Sequence, residues 1–475
     1  MWDRRRTLIF VICCLSLFLV GLDNTIVNIA LPAIGEDLHA NVSGLQWTVD
    51  SYTIVLASLL MLGGSTADRL GRRRIFQIGL VLFTLGSLLC GVAPGLGWLV
   101  AFRVLQAVGG SMLNPVAMSI VTNTFPDPHE RARAIGFWGA TFGISMALGP
   151  VIGGLLVPLD WRAIFWINVP VGIAAMVLAR KYIPESRAPR PRRVDPVGQV
   201  LVIVLLGSLT YSIIEGPGAG WTSPRIVALF ALSGAVLVAL IGYERRRIEP
   251  LVEMRLFRSA PFTGATAIAV LVFCALAGLL FLSTLYLQET RGLSTLQAGL
   301  CTLPTAALLI VMGPISGRLV ATVGPRIPLL IGGSAIAAGA LALTGLSPHT
   351  PIVALLGIYA LLGLGFGMAN APITNTAVSG LPRSQAGVAA AFASTSRQVG
   401  NTLGVAIIGS AVTSRIHGPL GPGLAQASHV GWWVMTGCGA AVVLIALATT
   451  GRWARATSTR TAAQLKTLEP AAVLS

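Results

Sequence analysis

Apolar runs of about twenty residues recur along this chain, near 7–30, 47–66, 75–93, 98–121, 134–157, 163–183, 197–215, 225–243, 262–287, 297–319, 327–346, 352–374, 387–412 and 430–450. About twenty residues of helix cross a hydrocarbon core of roughly 30 Å. Inside lipid every backbone polar group must be paired within the protein, so runs of this length fold as helices. The expectation is an all-α integral membrane protein with 14 transmembrane helices. Composition agrees: 11% of the residues are charged, against about 25% in a soluble domain.

The net charge of +16 would suit a nucleic-acid binder if it lay on one face. It lies instead in alternate short segments between the apolar runs. With Arg4, Arg5 and Arg6 in the cytoplasm, only Arg162, Arg225, Arg291 and Arg415 of the 33 Lys and Arg fall outside, while Arg103 and Arg397 fall in or beside spans. That asymmetry obeys the positive-inside rule and places both termini in the cytoplasm. Trp47, Trp98, Trp161, Trp221, Trp432 and Trp453 fall near proposed span ends, where aromatic belts form. The first run is too long for a cleaved signal and reads as a retained span. The lipid bilayer is the expected surroundings, and no nucleic acid is expected as a partner.

Several chemistries are not expected. The six cysteines sit in or beside apolar runs without a C-x-x-C pair, and the five histidines are scattered without H-E-x-x-H. Lys181 and Lys466 are the two lysines, and neither follows Gly, so no phosphate-binding G-x-x-x-x-G-K-[ST] loop exists. The chain reads as neither an enzyme nor an ATP-driven pump, with no metal and no cofactor.

Charged linkers at 184–196 and 244–261 divide the runs into six, two and six. The outer sixes echo each other. GSTADRLGRRR (64–74) has a partner in GPISGRLVATVGPR (313–326), and GSMLNPVAMSIVTNTFPDPHERARAIGFW (110–138) in GMANAPITNTAVSGLPRSQAGVAAAF (367–392). Such repeats mark transporters whose binding site lies between two halves. The expected units are an N-terminal six-helix bundle (1–184), linkers flanking two inserted helices (185–254), a C-terminal six-helix bundle (255–455) and a cytoplasmic tail (456–475).

Over about 10–455 the chain resembles the major facilitator superfamily, specifically its fourteen-span drug:proton antiporters of the EmrB/QacA type. The residues that carry the resemblance are LDNTIVNIALP (22–32), ADRLGRRR (67–74), RVLQAVGGSMLNP (103–115), LGPVIGG (148–154), DWRAIFWINVPVG (160–172) and LYLQETRGLSTLQAGLCTLP (285–304). The resemblance implies two six-helix bundles plus two extra helices. It also implies export of lipophilic drugs or antibiotics, driven by protons, from a bacterial cytoplasmic membrane, by a monomer handling a small-molecule substrate and protons. The rivals are an exporter dedicated to one metabolite or antibiotic, a nutrient symporter, and a membrane sensor without flux. The LGPVIGG element, an antiporter signature in the family, disfavours the symporter, and the lack of a sizeable soluble domain disfavours the sensor.

Asp23 is the acid deepest in a span, roughly 24 Å along the first helix at 1.5 Å per residue. A carboxylate at membrane depth is costly and usually faces a cavity, a partner or a proton path. It is a proton-coupling candidate; as a plain packing residue it would bond Asn24 or Thr25. Asp50, one turn into the second span, is a second candidate that would face Asp23 across an outer vestibule, or else a dipole-favoured acid at the helix start. Glu215 and Glu289 read as solvated loop acids. Arg103, with Gln106 at i+3 on the same face, cannot shed its proton. The resemblance assigns it to proton transfer, whereas otherwise it would snorkel outward. Ala107 stands where the family usually has Gly.

Asp68, Arg69, Gly71, Arg72 and Arg73 anchor a loop by positive-inside logic, and the resemblance implies that they latch the two halves and control switching. Gly149, Pro150, Gly153 and Gly154 form the antiporter-type helix, where Pro kinks and Gly permits close approach; Ser145 replaces a usual Gly there. Candidates for an apolar cavity with a few polar groups are Asn28, Gln106, Met112, Asn114, Trp138, Phe142, Tyr286, Gln288 and Asn370. Each is also an ordinary packing residue in the bland reading. Aromatic faces beside a carboxylate would suit lipophilic cations.

Overall fold

The structure is a computed structural model, and it describes residues 2–188, 194–247, 250–251, 253–381, 383–415 and 420–466. Arg190, Arg192 and Arg193 of the first linker lie outside these. The described residues contain no strand. The helices are α1 (Arg4–Asp37), α2 (Val42–Leu70), α3 (Arg72–Cys90), α4 (Leu96–Thr124), α5 (Pro128–Leu156), the short α6 (Ala163–Trp166), α7 (Asn168–Tyr182), α8 (Pro196–Ala219) and α9 (Pro224–Glu244). After a 3-10 turn at Met254–Arg258 come α10 (Ala260–Leu285, prolonged by a π turn at Tyr286–Thr290), α11 (Thr295–Val323), α12 (Arg326–Leu343), α13 (Ile352–Val378), α14 (Arg383–Thr413), α15 (Leu420–Thr449) and α16 (Arg452–Lys466).

Thirteen spans among the described residues are long and apolar enough to cross a membrane, α6 and α7 together making one of them. The 31-residue α14 is long enough but is not among them. Its sequence carries Arg397, Gln398 and Asn401, and it packs against α10, α2, α8 and α15. Surrounded by protein on these sides, it has less need of an apolar surface than a lipid-facing helix.

The packing repeats. In the first half α1 lies on α5, α2 and α3 on α4, and α7 on α3 and α1. In the second, α10 lies on α14, α11 and α12 on α13, and α15 on α12 and α10. Matching glycines set matching distances. A Cβ on Gly79 would lie 3.0 Å from the Gly109 carbonyl, and one on Gly332 3.0 Å from the Gly365 carbonyl. These helices touch backbone to backbone, as small residues allow in a membrane. We expect Gly109→Val, whose Cβ would meet the Phe83 nitrogen at 2.3 Å, to cost about 1–3 kcal/mol or more by overpacking. The recovery of monodisperse protein from detergent should fall sharply. Gly139→Ala, with nothing within 4 Å of the new Cβ, is the control that should behave as the parent.

The halves meet along α5 with α11 and α2 with α14. The inserted α8 flanks the second seam, and α9 packs on α8. Gln199 Nε2 donates to the Ser58 carbonyl at 2.7 Å, and Glu215 accepts from Trp47 Nε1 at 2.8 Å and Ser43 Oγ at 3.0 Å. Glu215 is therefore a strap between α8 and α2, not the solvated acid expected from its place near a span end.

A further expectation is corrected. Trp432 is 1% exposed and donates to Ser428 Oγ at 3.1 Å. Its helix begins ten residues earlier than the apolar run suggested, so this Trp is core rather than a belt residue. The first part of the tail is α16, docked on the second half through Thr457 Oγ1, which accepts from Ala260 N at 3.0 Å, and Ser458 Oγ, which donates to the Ser379 carbonyl at 3.0 Å.

Candidate functional site: a buried charge cluster beside a cavity between the halves

Successive residues on α1 turn by about 100°, and the helix uses this to present two different faces. Asp23 points into the first half. Its Oδ2 accepts from Arg103 Nη1 at 2.6 Å, and its Oδ1 accepts from Gln106 Nε2 at 2.8 Å and Asn168 Nδ2 at 3.3 Å. Arg103 also donates to Gln106 Oε1 at 2.8 Å and, through Nε, to the Thr48 carbonyl at 3.2 Å, and its guanidinium lies 4.1 Å from the Tyr52 ring centroid. Asn168 is held by Ser87 Oγ at 3.0 Å. Asp23 and Arg103 are 0% and 1% exposed. The guanidinium neither snorkels outward nor stands unpaired, and the carboxylate bonds Arg103 rather than Asn24 or Thr25. The sequence singled out Asp23, Arg103 and Gln106 as site candidates; Asn168, present there only within the DWRAIFWINVPVG motif, and Ser87 complete the cluster.

The neighbouring face of α1 lines a cavity between the halves. Asn24, Thr25 and Asn28 of α1, Thr53 of α2 and Asn401 of α14 bring polar groups; Phe142, Met146, Phe273 and Leu276 make the apolar body. A second, smaller lobe shares these four and reaches Leu309, Phe366 and Asn370.

Of the sequence candidates, Asn28, Phe142 and Asn370 line this space. The other six are not among the residues that line the two lobes. Gln106 is consumed by the Asp23 cluster, and Met112 and Asn114 lie on α4, where Met112 backs Gly63 and Gly79. Trp138 is packed in the core of the first half. The Tyr286 hydroxyl donates to the Ser347 carbonyl at 2.6 Å, and Gln288 Nε2 donates to the Ile29 carbonyl at 3.0 Å.

Asp50 does not face Asp23. It is fully buried on α2; its Oδ1 accepts from Thr53 Oγ1 at 3.2 Å, and its Oδ2 has no partner. Thr53 in turn accepts from Thr402 of α14 at 3.0 Å. Helix rotation puts Asp50 toward the second half instead of across α1.

Bonds between the halves gather toward one end of the bundle. There Gln46 Nε2 donates to the Val405 and Ala406 carbonyls at 3.0 Å each, Gln288 reaches Ile29, and Thr295 Oγ1 donates to the Gly154 carbonyl at 3.1 Å. Of the antiporter-type glycines, Gly154 serves this closure, while Gly149 and Gly153 fit α5 to α1 within the first half. A Cβ on Gly149 or Gly153 would strike Thr25 or Ile26 of α1, and one on Gly154 would lie 2.6 Å from Leu296 Cα on α11. A Cβ on Gly299 would lie 2.3 Å from the Pro150 carbonyl. At the other end α5 and α11 part: Gly136, Gly139, Gly313 and Gly317 have nothing within 4 Å of an added Cβ.

That open end carries the basic loop. Arg72 donates to Asp68 Oδ1 through Nε and Nη2 at 3.0 and 2.8 Å. Gly71 adopts φ +118°, which favours glycine. Arg73 N donates to Glu185 Oε1 at 3.0 Å, and Arg69 is exposed. The ion pairs of Arg72 and Arg73 stay within the first half and its linker, so in this conformation they do not latch the two halves.

Comparison places this geometry among known proteins. The sequence model of the Major Facilitator Superfamily matches residues 13–405. The chain is 37% identical over 426 residues to "Multidrug resistance protein Stp" of Mycobacterium tuberculosis, spanning 90% of this chain and 79% of that protein. It is 36% identical over 406 residues to the "Tetracenomycin C resistance and export protein" of Streptomyces glaucescens, spanning 84% and 75%. The fold also matches the crystal structure of a bacterial homolog to the human lysosomal transporter Spinster, in an inward-facing and unoccupied conformation, with a TM-score of 0.64, 18% identity and 98% and 99% coverage. The repeated six-helix pairing, the cavity between the halves and these likenesses agree: the chain is a multi-pass membrane transporter that belongs to the Major Facilitator Superfamily.

Proposed function

We propose that this chain is a proton-coupled exporter of lipophilic drugs or antibiotics, working by alternating access as a fourteen-span monomer of the EmrB/QacA type in a bacterial cytoplasmic membrane. The observation that carries the reading is the double face of α1, with the Asp23–Arg103 cluster on one side and the cavity on the other. Protonation of Asp23 would free Arg103 and shift the same helix that touches the substrate. The charge asymmetry of the loops supports two cytoplasmic termini and makes the open end the cytoplasmic one, so the conformation is inward-facing. No cofactor enters the scheme. One proton crossing 100 mV yields about 2.3 kcal/mol, and about 1.4 kcal/mol is a tenfold ratio. One proton thus sustains a roughly forty-fold gradient of a neutral substrate.

The relatives' names include both a multidrug resistance protein and proteins named for one antibiotic, which keeps a dedicated exporter as the second reading. The test is efflux from energised cells of cationic (ethidium), neutral and anionic fluorescent amphiphiles, with and without a protonophore. Export of several probes that collapses with the protonophore is the expected result. Export of none, by inserted protein, overturns broad specificity and points to the dedicated exporter. Export that survives the protonophore overturns proton coupling.

A further inference from the structure

The second half holds a cation that the mechanism above does not use. Arg397 sits on α14 one turn from Asn401 and two turns from Val405, both of which line the cavity. Residues spaced by four share a helix face, so Arg397 lies on the cavity face of α14, one turn beyond the residues that line the two lobes. Its surroundings agree. Its Nη2 donates to Thr374 Oγ1, and Thr374 lies one turn along α13 from Asn370 of the second lobe. Its guanidinium carbon is 5.8 Å from the ring centroid of Phe273, which lines both lobes.

Arg103 and Arg397 make a telling contrast. Arg103 has Asp23 at 2.6 Å. Arg397 takes part in no ion pair among the described residues, and its Nε is enclosed with no hydrogen-bond partner. No Asp or Glu lines either lobe. An Arg cannot discharge itself by losing a proton, and a charge at membrane depth normally has a partner. The guanidinium also presents a fork of donors matched to a carboxylate.

The geometry points to Arg397, with Thr374 and Asn401, as an anion-recognition point of the transport cavity. Its ligand is an amphipathic molecule that carries an ionised oxygen (carboxylate, phenolate or enolate) beside an apolar body that fills the Phe142–Phe273 lobe. This rests on the reading of the cavity as the transport site, and it turns the substrate class away from the lipophilic cations that aromatic lining alone would suggest.

The test is equilibrium binding to the purified full chain in neutral detergent, using 1-pyrenebutyrate, its uncharged methyl ester, and ethidium. The carboxylate should bind the parent protein roughly ten- to a hundredfold tighter than the ester, as expected for hydrogen bonds to a charged group. Arg397→Gln should erase that difference while leaving ester affinity in place, and Arg397→Lys should keep part of it. Retained ester binding shows that the variant cavity is still folded. If carboxylate and ester bind the parent equally, or if Arg397→Gln keeps the preference, the anion assignment falls and the cavity reading stands. If none of the three probes binds the parent, the cavity reading falls, and the anion assignment with it. Tight binding of the carboxylate that persists when the ester is also tight, and that is insensitive to both Arg397 variants, identifies a purely apolar site.

Discussion

Asp23→Asn is expected to bring energised efflux down to the level of cells without the transporter, while the protein still inserts. The carboxylate is acceptor-only, and the cluster depends on that. Oδ1 receives two amide donors and Oδ2 receives the guanidinium. Gln106 cannot simply flip to suit an Asn, because its Oε1 is already engaged by Arg103. The substitution therefore sets an NH2 group against existing donors and leaves Arg103 buried without its counter-charge. Removing one partner of a buried ion pair costs about 3–5 kcal/mol, so loss of activity in this variant alone would not separate coupling from scaffolding. The combination with Arg103→Gln does. With both charges removed, no uncompensated ion remains, and thermal stability should recover much of what either single change loses. Efflux should stay absent in the two single variants and in the double variant. Recovery of efflux along with stability in the double variant would assign the pair to structure and remove it from proton coupling.

This test also shows what the sequence does and does not disclose. Asp23 and Arg103 are each conspicuous as charges within apolar runs, and their rarity at membrane depth marks them singly. Their pairing is not written in the sequence. They lie eighty residues apart, and contact depends on the rotation of α1 against α4. The rotations of the other helices likewise decide that Asp50 turns to α14 and that Asn24, Thr25 and Asn401 reach the cavity, while Met112 and Trp138 pack within the first half. Span positions were legible because twenty-residue apolar runs admit one solution in lipid. Trp432 and Glu215 misled for one shared reason: a residue near the end of an apolar run looks interfacial, yet α15 extends beyond its apolar run and α8 brings Trp47 and Ser43 to the carboxylate. Arg397 drew no assignment in the sequence because a lone Arg beside a helix is common; only the absence of an acid partner among the described residues gives it meaning.

The other large effect is expected at the closed end, where Gly154→Val and Gly299→Val should hold the transporter open to the outside and stop its cycle. The atoms nearest the new Cβ positions are backbone: Leu296 Cα and the Thr295 carbonyl for Gly154, the Pro150 carbonyl for Gly299. No side-chain rotation relieves such contacts, so α5 and α11 must separate. This seam lies between the halves, whereas Gly109 lies within the first half on the α3–α4 contact, which is why the variants should fold where Gly109→Val does not. A clash of about 1–3 kcal/mol acts only on the state with this end closed. At about 1.4 kcal/mol per tenfold, the outward-open population should rise roughly ten- to a hundredfold. A single Cys at Asn24 in the cavity, in a chain freed of its six native cysteines, reports it: labelling by a membrane-impermeant maleimide added outside should accelerate by that factor. Unchanged labelling with normal efflux would mean that α5 and α11 do not form the outer gate. Accelerated labelling with lost efflux would place Gly154 and Gly299 in the closure itself, since a helix that must meet its partner backbone to backbone in one state and leave it in the other has no room for a side chain at the point of contact.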